Sequence, residues 1–421
     1  MTNFDGYDGQ PILETIPNCS TTGAKPERTT AFHVTATANN TTTHRSSYIQ
    51  TVSNGNMAVV SRVRRKSDGA RKFVGSWMLR NQIGIAFNLL ALLFLAHFIP
   101  KARPYTTKFF TLSYRNDLTG NYGNGRDDIY LIICCVVLFS GLRAAVMQYI
   151  LVPFARLCGV HKPKDLTRFS EQSWLLCYYA VFWTMGMYIY RNSPYWLNLK
   201  ELWTDWPDRE LTGLVKLYIL AQWAFWLQQI IVINIEERRK DYSQMLAHHF
   251  VTCGLMYACY AYHQTRVGNL ILVLMDFVDI VLPVAKCLKY MGFKLVCDVM
   301  FGVFMVSWIF TRHVVYCMVC WSIYVDIPEI IGETCYRGSG KDLSGPLPIP
   351  AGSRYLLEPF WNPHGLVCFG RTVTWCFLLP LLLLQCMNFV WFAMIARVAL
   401  KVIRREGADD SRSDDEDEKE D

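Results

Sequence analysis

Two adjacent histidines, His248 and His249, lie about one turn inside an apolar segment, and two aspartates, Asp276 and Asp279, lie inside the next one. Ionisable side chains are costly in hydrocarbon. They normally face one another or a polar cavity, so their placement inside a span points to function. Imidazole serves as a base, an acid or a nucleophile near neutral pH. A carboxylate beside it orients the ring, stabilises imidazolium or binds an ammonium group. In a membrane cavity open to the cytosol, such a set suits an amphiphilic substrate whose reactive head lies near the interface. The plain alternative is a polar cluster that glues two helices. A hydrogen bond of that kind is worth about 1 kcal/mol in a membrane, and four ionisable groups are an expensive way to obtain it.

Helix rise brings the two pairs to matching depth. His249 lies nine residues past Lys240, about 13 Å below a basic edge. Asp279 lies ten residues before Lys289, about 15 Å deep by the same rule. A short turn at about Gln264–Arg266 joins the two segments, so they should pack as antiparallel neighbours. Asp276 and Asp279 are three apart and share a helix face.

The elements that must hold this set are transmembrane helices. Apolar runs near the 20 residues needed to cross a bilayer fall at roughly 78–99, 128–155, 173–190, 214–235, 245–263, 267–288, 296–323 and 373–397. The expected fold is an all-α polytopic bundle of about eight transmembrane helices around a lipid or acyl cavity. Residues 1–75 are rich in Thr, Ser and Asn and read as a disordered N-terminal region, 76–400 as the catalytic membrane domain, and 401–421 as an acidic, disordered tail. Basic residues Arg62, Arg64, Arg65, Lys66, Arg71 and Lys72 precede the first span and favour a cytosolic N-terminus. Eight crossings then place both termini in the cytosol. Basic groups flank spans without forming an aromatic-interleaved face, which argues against nucleic-acid binding. In the tail, Ser411 and Ser413 stand among acidic residues, a pattern that acidophilic kinases accept.

Arg238, Arg239, Lys240, Lys286 and Lys289 surround the cytosolic mouth and are candidates to hold phosphates, with topology anchoring as the competing role. Arg312 and His313 lie deep in their span, toward the opposite interface by helix rise, with either a structural or a headgroup role. Arg143 and Trp308 read as helix-packing or cavity residues. The nine histidines do not form the repeated boxes of membrane di-iron oxidases, so no metal is assigned. Most of the fifteen cysteines sit in apolar segments as small hydrophobes. Cys335 and Cys368 fall in the loop before the last span, where a disulfide is allowed but not required.

Several motifs occur in a familiar order. Lys240-Asp241-Tyr242, His248-His249-Phe250-Val251-Thr252 and Met275-Asp276-Phe277-Val278-Asp279 resemble the signature of the ceramide synthases, the longevity-assurance branch of the TLC-domain membrane proteins. Gln222, Phe225, Trp226, Gln228 and Gln229 resemble the helix that precedes that signature, and Trp308 with Arg312-His313-Val314-Val315 resembles a later segment. Arg143 followed by Pro153-Phe154 resembles the second span, and the acidic tail resembles fungal members. Val278 departs from the small polar residue usual before the second aspartate.

The resemblance implies a TLC-type bundle in the endoplasmic reticulum that transfers a fatty acyl group from acyl-CoA to the amine of a sphingoid base. It makes acyl-CoA the co-substrate with no tightly bound cofactor, and His248, His249, Asp276 and Asp279 the catalytic residues. It also admits a small single-span accessory subunit and a homo- or hetero-dimer. A non-enzymatic lipid transporter or sensor on the same fold is the alternative, since fold does not fix function.

Overall fold

The computed structural model describes residues 49–54, 57–62, 66–236, 241–338 and 342–403. The chain divides into two compact units, Met1–Arg65 and Lys66–Asp421. In the first, β1 (Ile49–Asn54) pairs antiparallel with β2 (Met57–Arg62). The stretch expected to lack structure therefore contains a hairpin, built on Ile49, Val52, Val59 and Val60, residues that favour strands. The expectation of disorder for residues 1–48 and for the acidic tail beyond Ile403, with Ser411 and Ser413, lies outside the described residues.

The second unit is a helical bundle. Its long helices are α1 (Lys66–His97), α2 (Asp128–Leu157), α3 (Pro163–Arg191), α4 (Gly213–Ile235), α5 (Tyr242–Ala261), α6 (Thr265–Tyr290), α7 (Lys294–Ile330) and α8 (Arg371–Ile403). Five of these, α1, α2, α4, α7 and α8, hold segments long and apolar enough to cross a membrane, so the chain is a multi-pass membrane protein. Helices α3, α5 and α6 have 29, 20 and 26 residues, enough for a crossing. They fall short in apolarity for a physical reason: they carry Gln172, the two histidines, Asn269 and the two aspartates, and they form the polar centre of the bundle.

Lipid tails are as apolar as the helices, so association rests on close packing and interhelical hydrogen bonds. Both are visible. A Cβ on Gly186 would lie 2.5 Å from the Tyr218 hydroxyl and 2.9 Å from Val273, so the missing side chain lets α3 approach α4 and α6. Buried Lys216 of α4 sits 2.7 Å from Asp128 at the start of α2, and Tyr260 of α5 donates to that carboxylate at 2.7 Å. Tyr195 donates to Asn269 at 3.1 Å, and the Trp203 indole donates to Ser322 at 2.8 Å.

The turn joining α5 to α6 is as short as expected and lies two residues earlier, at Tyr262–Gln264. Gln264 N–H bonds the Cys259 carbonyl at 2.8 Å, and His263 holds a left-handed φ of 57°, a Schellman-type close to the helix. The two helices meet at this turn and then diverge. Helix α5 packs mainly on α4 and α8, and α6 mainly on α3 and α7. The expected close antiparallel pair is thus a splayed hairpin, because a cavity occupies the space between its arms.

The segment before α8 reads from the sequence as a loop. It instead forms β3 (Thr334–Arg337), β4 (Ser344–Leu347) and β5 (Val367–Phe369), antiparallel in the order β4-β3-β5. A Cys335–Cys368 disulfide joins the directly paired residues of β3 and β5. Arg209 donates to the carbonyls of Pro363, Tyr336 and Gly365 at 2.6, 3.1 and 3.0 Å, tying the α3–α4 connection to this sheet.

Gly186→Leu should lower the melting temperature of the detergent-solubilised protein, since overpacking costs about 1–3 kcal/mol. An unchanged melting curve would show that α3 does not approach α4 and α6 as closely as described.

Candidate active site

Helix α4 organises the site. Gln222 and Trp226 are one turn apart and share a face. Gln222 reaches α6: its Nε2 donates to the Asp276 carboxylate at 2.7 Å, while its Oε1 accepts from the Tyr178 hydroxyl at 2.7 Å. Both donor and acceptor of the amide are thereby fixed, and its orientation with them. Asp276 and Gln222 are each 0% exposed, so this bond is made wholly away from solvent. Trp226 faces α5. Its ring centroid lies 5.8 Å from that of His248 and 5.2 Å from that of His249. One face of α4 therefore meets Asp276 and both histidines.

The two histidines are not equivalent. His249 is buried, and its Nδ1 lies 2.6 Å from the Met245 carbonyl one turn back. A carbonyl only accepts, so Nδ1 carries the hydrogen and Nε2 keeps its lone pair. His248 packs edge-on against His249 and against Trp391 of α8, with centroids 5.5 and 5.2 Å apart. Its Nδ1 is buried and has no hydrogen-bond partner among the described residues. Of the four signature residues, His248 is the one that lines the cavity.

The empty space in and around that cavity, part of it open to its surroundings, is about 1060 Å³. Its α5 wall runs from His248 through Thr252, Leu255 and Met256 to Cys259, eleven residues and roughly 16 Å of helix. Ile271 and Met275 of α6, Tyr316 and Ile323 of α7, and Phe377 and Leu381 of α8 complete an almost wholly apolar lining. Thr252 lies one turn from His248 on α5, and Asn388 lies one turn from Trp391, whose ring centroid is 5.2 Å from that of His248. The arrangement suits a single hydrocarbon chain whose reactive head lies at an imidazole.

Asp279 is held from α7. Nη2 of Arg312 lies 3.1 Å from each of its carboxylate oxygens and 3.2 Å from the Met275 carbonyl. The guanidinium stacks over buried Trp308 at 4.2 Å. Arg312 therefore sits at the site and not toward the opposite interface, which corrects the reading from helix rise. The 37-residue α7 is longer than the run read from sequence, and residue 312 lies mid-helix. The helix is also π-wound over Ile309–Val315. Such a turn changes which side chains face inward, and these segments recur at functional sites.

The remaining candidates disperse. His313 faces α8, where Gln385 meets its Nδ1 at 2.9 Å. Buried Arg143 pairs with Glu236, linking α2 to the end of α4. Lys286 is half-buried, Lys289 is exposed, and neither lines the cavity. Arg238, Arg239 and Lys240 lie outside the described residues. Asn388 and Gln385 were missed by sequence reasoning. The available signal was two amide side chains three apart inside the last apolar run.

Residues 168–397, more than half of the chain, match the model of the TLC domain. The chain belongs to the TLC-domain family. Among curated TLC-type relatives, the chain is 48% identical to ceramide synthase FUM18 of Gibberella moniliformis, over 80% of this chain and 79% of that protein. It is 45% identical to the sphingosine N-acyltransferase-like protein ALT7 of Alternaria alternata, over 88% of this chain and 84% of the relative. It is 39% identical to sphingosine N-acyltransferase lag1 of Schizosaccharomyces pombe, over 80% of each chain.

Gln222→Leu should strand the buried Asp276 carboxyl and destabilise the protein by at least about 1–3 kcal/mol. Adding Asp276→Leu should restore much of that stability without restoring activity. Thermal melting and turnover of both variants test this. A single variant as stable as the wild type would contradict the fixed role of Gln222.

Proposed function

We infer that the chain is a ceramide synthase, which joins the acyl group of a fatty acyl-CoA to the amine of a sphingoid base and releases CoA. The names of relatives covering four-fifths of the chain support this over a non-enzymatic lipid transporter. One observation carries the mechanism: a long apolar cavity ends on His248, whose ring is held by Trp226, His249 and Trp391.

In the proposed sequence the acyl chain lies in the cavity with its carbonyl carbon at His248. An imidazole nitrogen attacks that carbon, the C–S bond breaks, and CoA leaves as the thiolate. The amine then attacks the acyl-imidazole, loses its proton, and the C–N bond to His248 breaks as the amide forms. His249, whose ring packs against that of His248 and whose Nδ1 hydrogen is held by the Met245 carbonyl, is proposed to take the proton. Asp276 and Asp279 are proposed to order the site, Asp276 through Gln222 and Asp279 through Arg312. If His248 serves instead as a general base, the amine attacks the thioester directly.

The basic residues Arg238, Arg239, Lys240, Lys286 and Lys289 are proposed to hold the CoA phosphates at the cytosolic mouth. The proposed setting is the endoplasmic reticulum membrane with both termini cytosolic. A disulfide between Cys335 and Cys368 suits an oxidising lumen, which supports a lumenal far end of α7 and a cytosolic Lys286–Lys294 end of the bundle.

With labelled acyl-CoA and sphingoid base, His248→Ala should lower turnover by at least about 10²–10⁴-fold while the protein still melts cooperatively. Near wild-type amide formation in that variant would exclude the reading. With acyl-CoA alone, the wild type should release one equivalent of CoA and gain the mass of one acyl group. Release only after base is added would select direct attack.

A further inference from the structure

Helix α8 contributes Phe377, Leu381, Leu384 and Asn388 to the cavity wall. Their spacings of four, three and four residues place them on one helix face. The strip is apolar until Asn388, which comes last. The next residue one turn along is Trp391, whose ring lies 5.2 Å from that of His248. The strip's single amide is therefore at the reactive end of the cavity.

Asn388 is 3% exposed, and its orientation is set by a chain of donors. Gln385 Nε2 donates to His313 Nδ1 at 2.9 Å, and Asn388 Nδ2 donates to Gln385 Oε1 at 3.3 Å. A carboxamide nitrogen has two N–H groups, and this chain uses one of them. Gln385 and His313 already join α8 to α7. The Asn388 bond, in contrast, runs to its own helix, so it adds no link between helices. A buried amide in a membrane helix is costly, and steadying the Gln385 carbonyl uses one of its two N–H groups and leaves the other over.

We propose that Asn388 is a catalytic residue whose second N–H hydrogen-bonds the acyl carbonyl oxygen and stabilises the oxyanion formed at His248. The proposal rests on the reading that the acyl chain occupies this cavity with its carbonyl at His248. As a nucleophile adds to the carbonyl carbon, the C=O π pair moves onto oxygen, and the Asn388 N–H meets the new charge. When the pair returns, the bond to the leaving group breaks, first to CoA sulfur and then to the imidazole nitrogen. The same donor serves both halves of the transfer. Gln385 and His313 act through Asn388 and are positioning residues.

The test is steady-state kinetics of purified full-length enzyme with the substitution Asn388→Leu, close in size but without a donor. A melting curve is recorded in parallel. Removing one oxyanion donor should lower kcat by about 10²–10³-fold. KM for acyl-CoA and for sphingoid base should stay within about threefold, because the donor acts on charge present only in the transition state. A kcat within threefold of wild type, or a loss confined to KM, would overturn the proposal. If Asn388→Leu does not fold, Asn388→Ala, which is smaller and has no side-chain donor, is predicted to show the same kcat loss and is judged by the same limits. His248→Ala assayed alongside separates the two levels. Full activity in the Asn388 variants with none in His248→Ala refutes the oxyanion role alone. Activity in His248→Ala refutes the reading beneath it.

Discussion

The bundle depends on one constraint: a polar group in hydrocarbon is costly unless another answers it. The Gln222–Asp276 bond is its most demanding instance, because both side chains are completely buried. A carboxyl there is tolerable only with a fixed donor, and the Gln222 amide can be that donor only because Tyr178 fills its carbonyl side. The bond sets the rotation of α6 relative to α4. That rotation turns Asp279 toward Arg312 of α7 and leaves the Trp226 face of α4 for the histidines of α5. A single satisfied amide thus joins three helices, α3, α4 and α6.

The same constraint explains where the cavity lies. Helices α5 and α6 are covalent neighbours across a tight turn, yet each finds its main partners elsewhere. The gap between them is closed by α7 and α8 with apolar side chains, so the interior is lined for hydrocarbon along most of its length and polar at one end. A cavity of that form fixes a chain by its shape and presents its head to chemistry. Entropy is spent once, on seating the chain, and the reacting carbon is then held near the nucleophile. The small sheet before α8 and its disulfide close the far side, with Phe369 of β5 in the cavity wall.

Much of this could be read from the residues. The four ionisable groups stood out because spans carry so few, and matching depth followed from helix rise alone. The helical class and most span positions followed from apolar runs. Three things could not be read. The position of Arg312 depended on the length of α7 and its π-wound turn, neither of which hydropathy reports. The splay of α5 from α6 depended on partners distant in sequence, while the short turn argued for contact. The difference between His248 and His249 depended on which face of α5 meets the cavity. Adjacent residues on a helix point about 100° apart, so that question is decided by packing. The Cys335–Cys368 pairing likewise needed the β3–β5 register, which the loop's Pro-rich composition concealed.

The central claim is that one apolar cavity delivers an acyl carbonyl to His248. Photolabelling with an acyl-CoA that carries a diazirine at the chain terminus tests it most directly. The account predicts crosslinks to cavity residues far from His248, such as Cys259, Ile271 or Ile323, located by peptide mass analysis. Crosslinks confined to outward-facing residues such as Phe250 or Trp321 would contradict it.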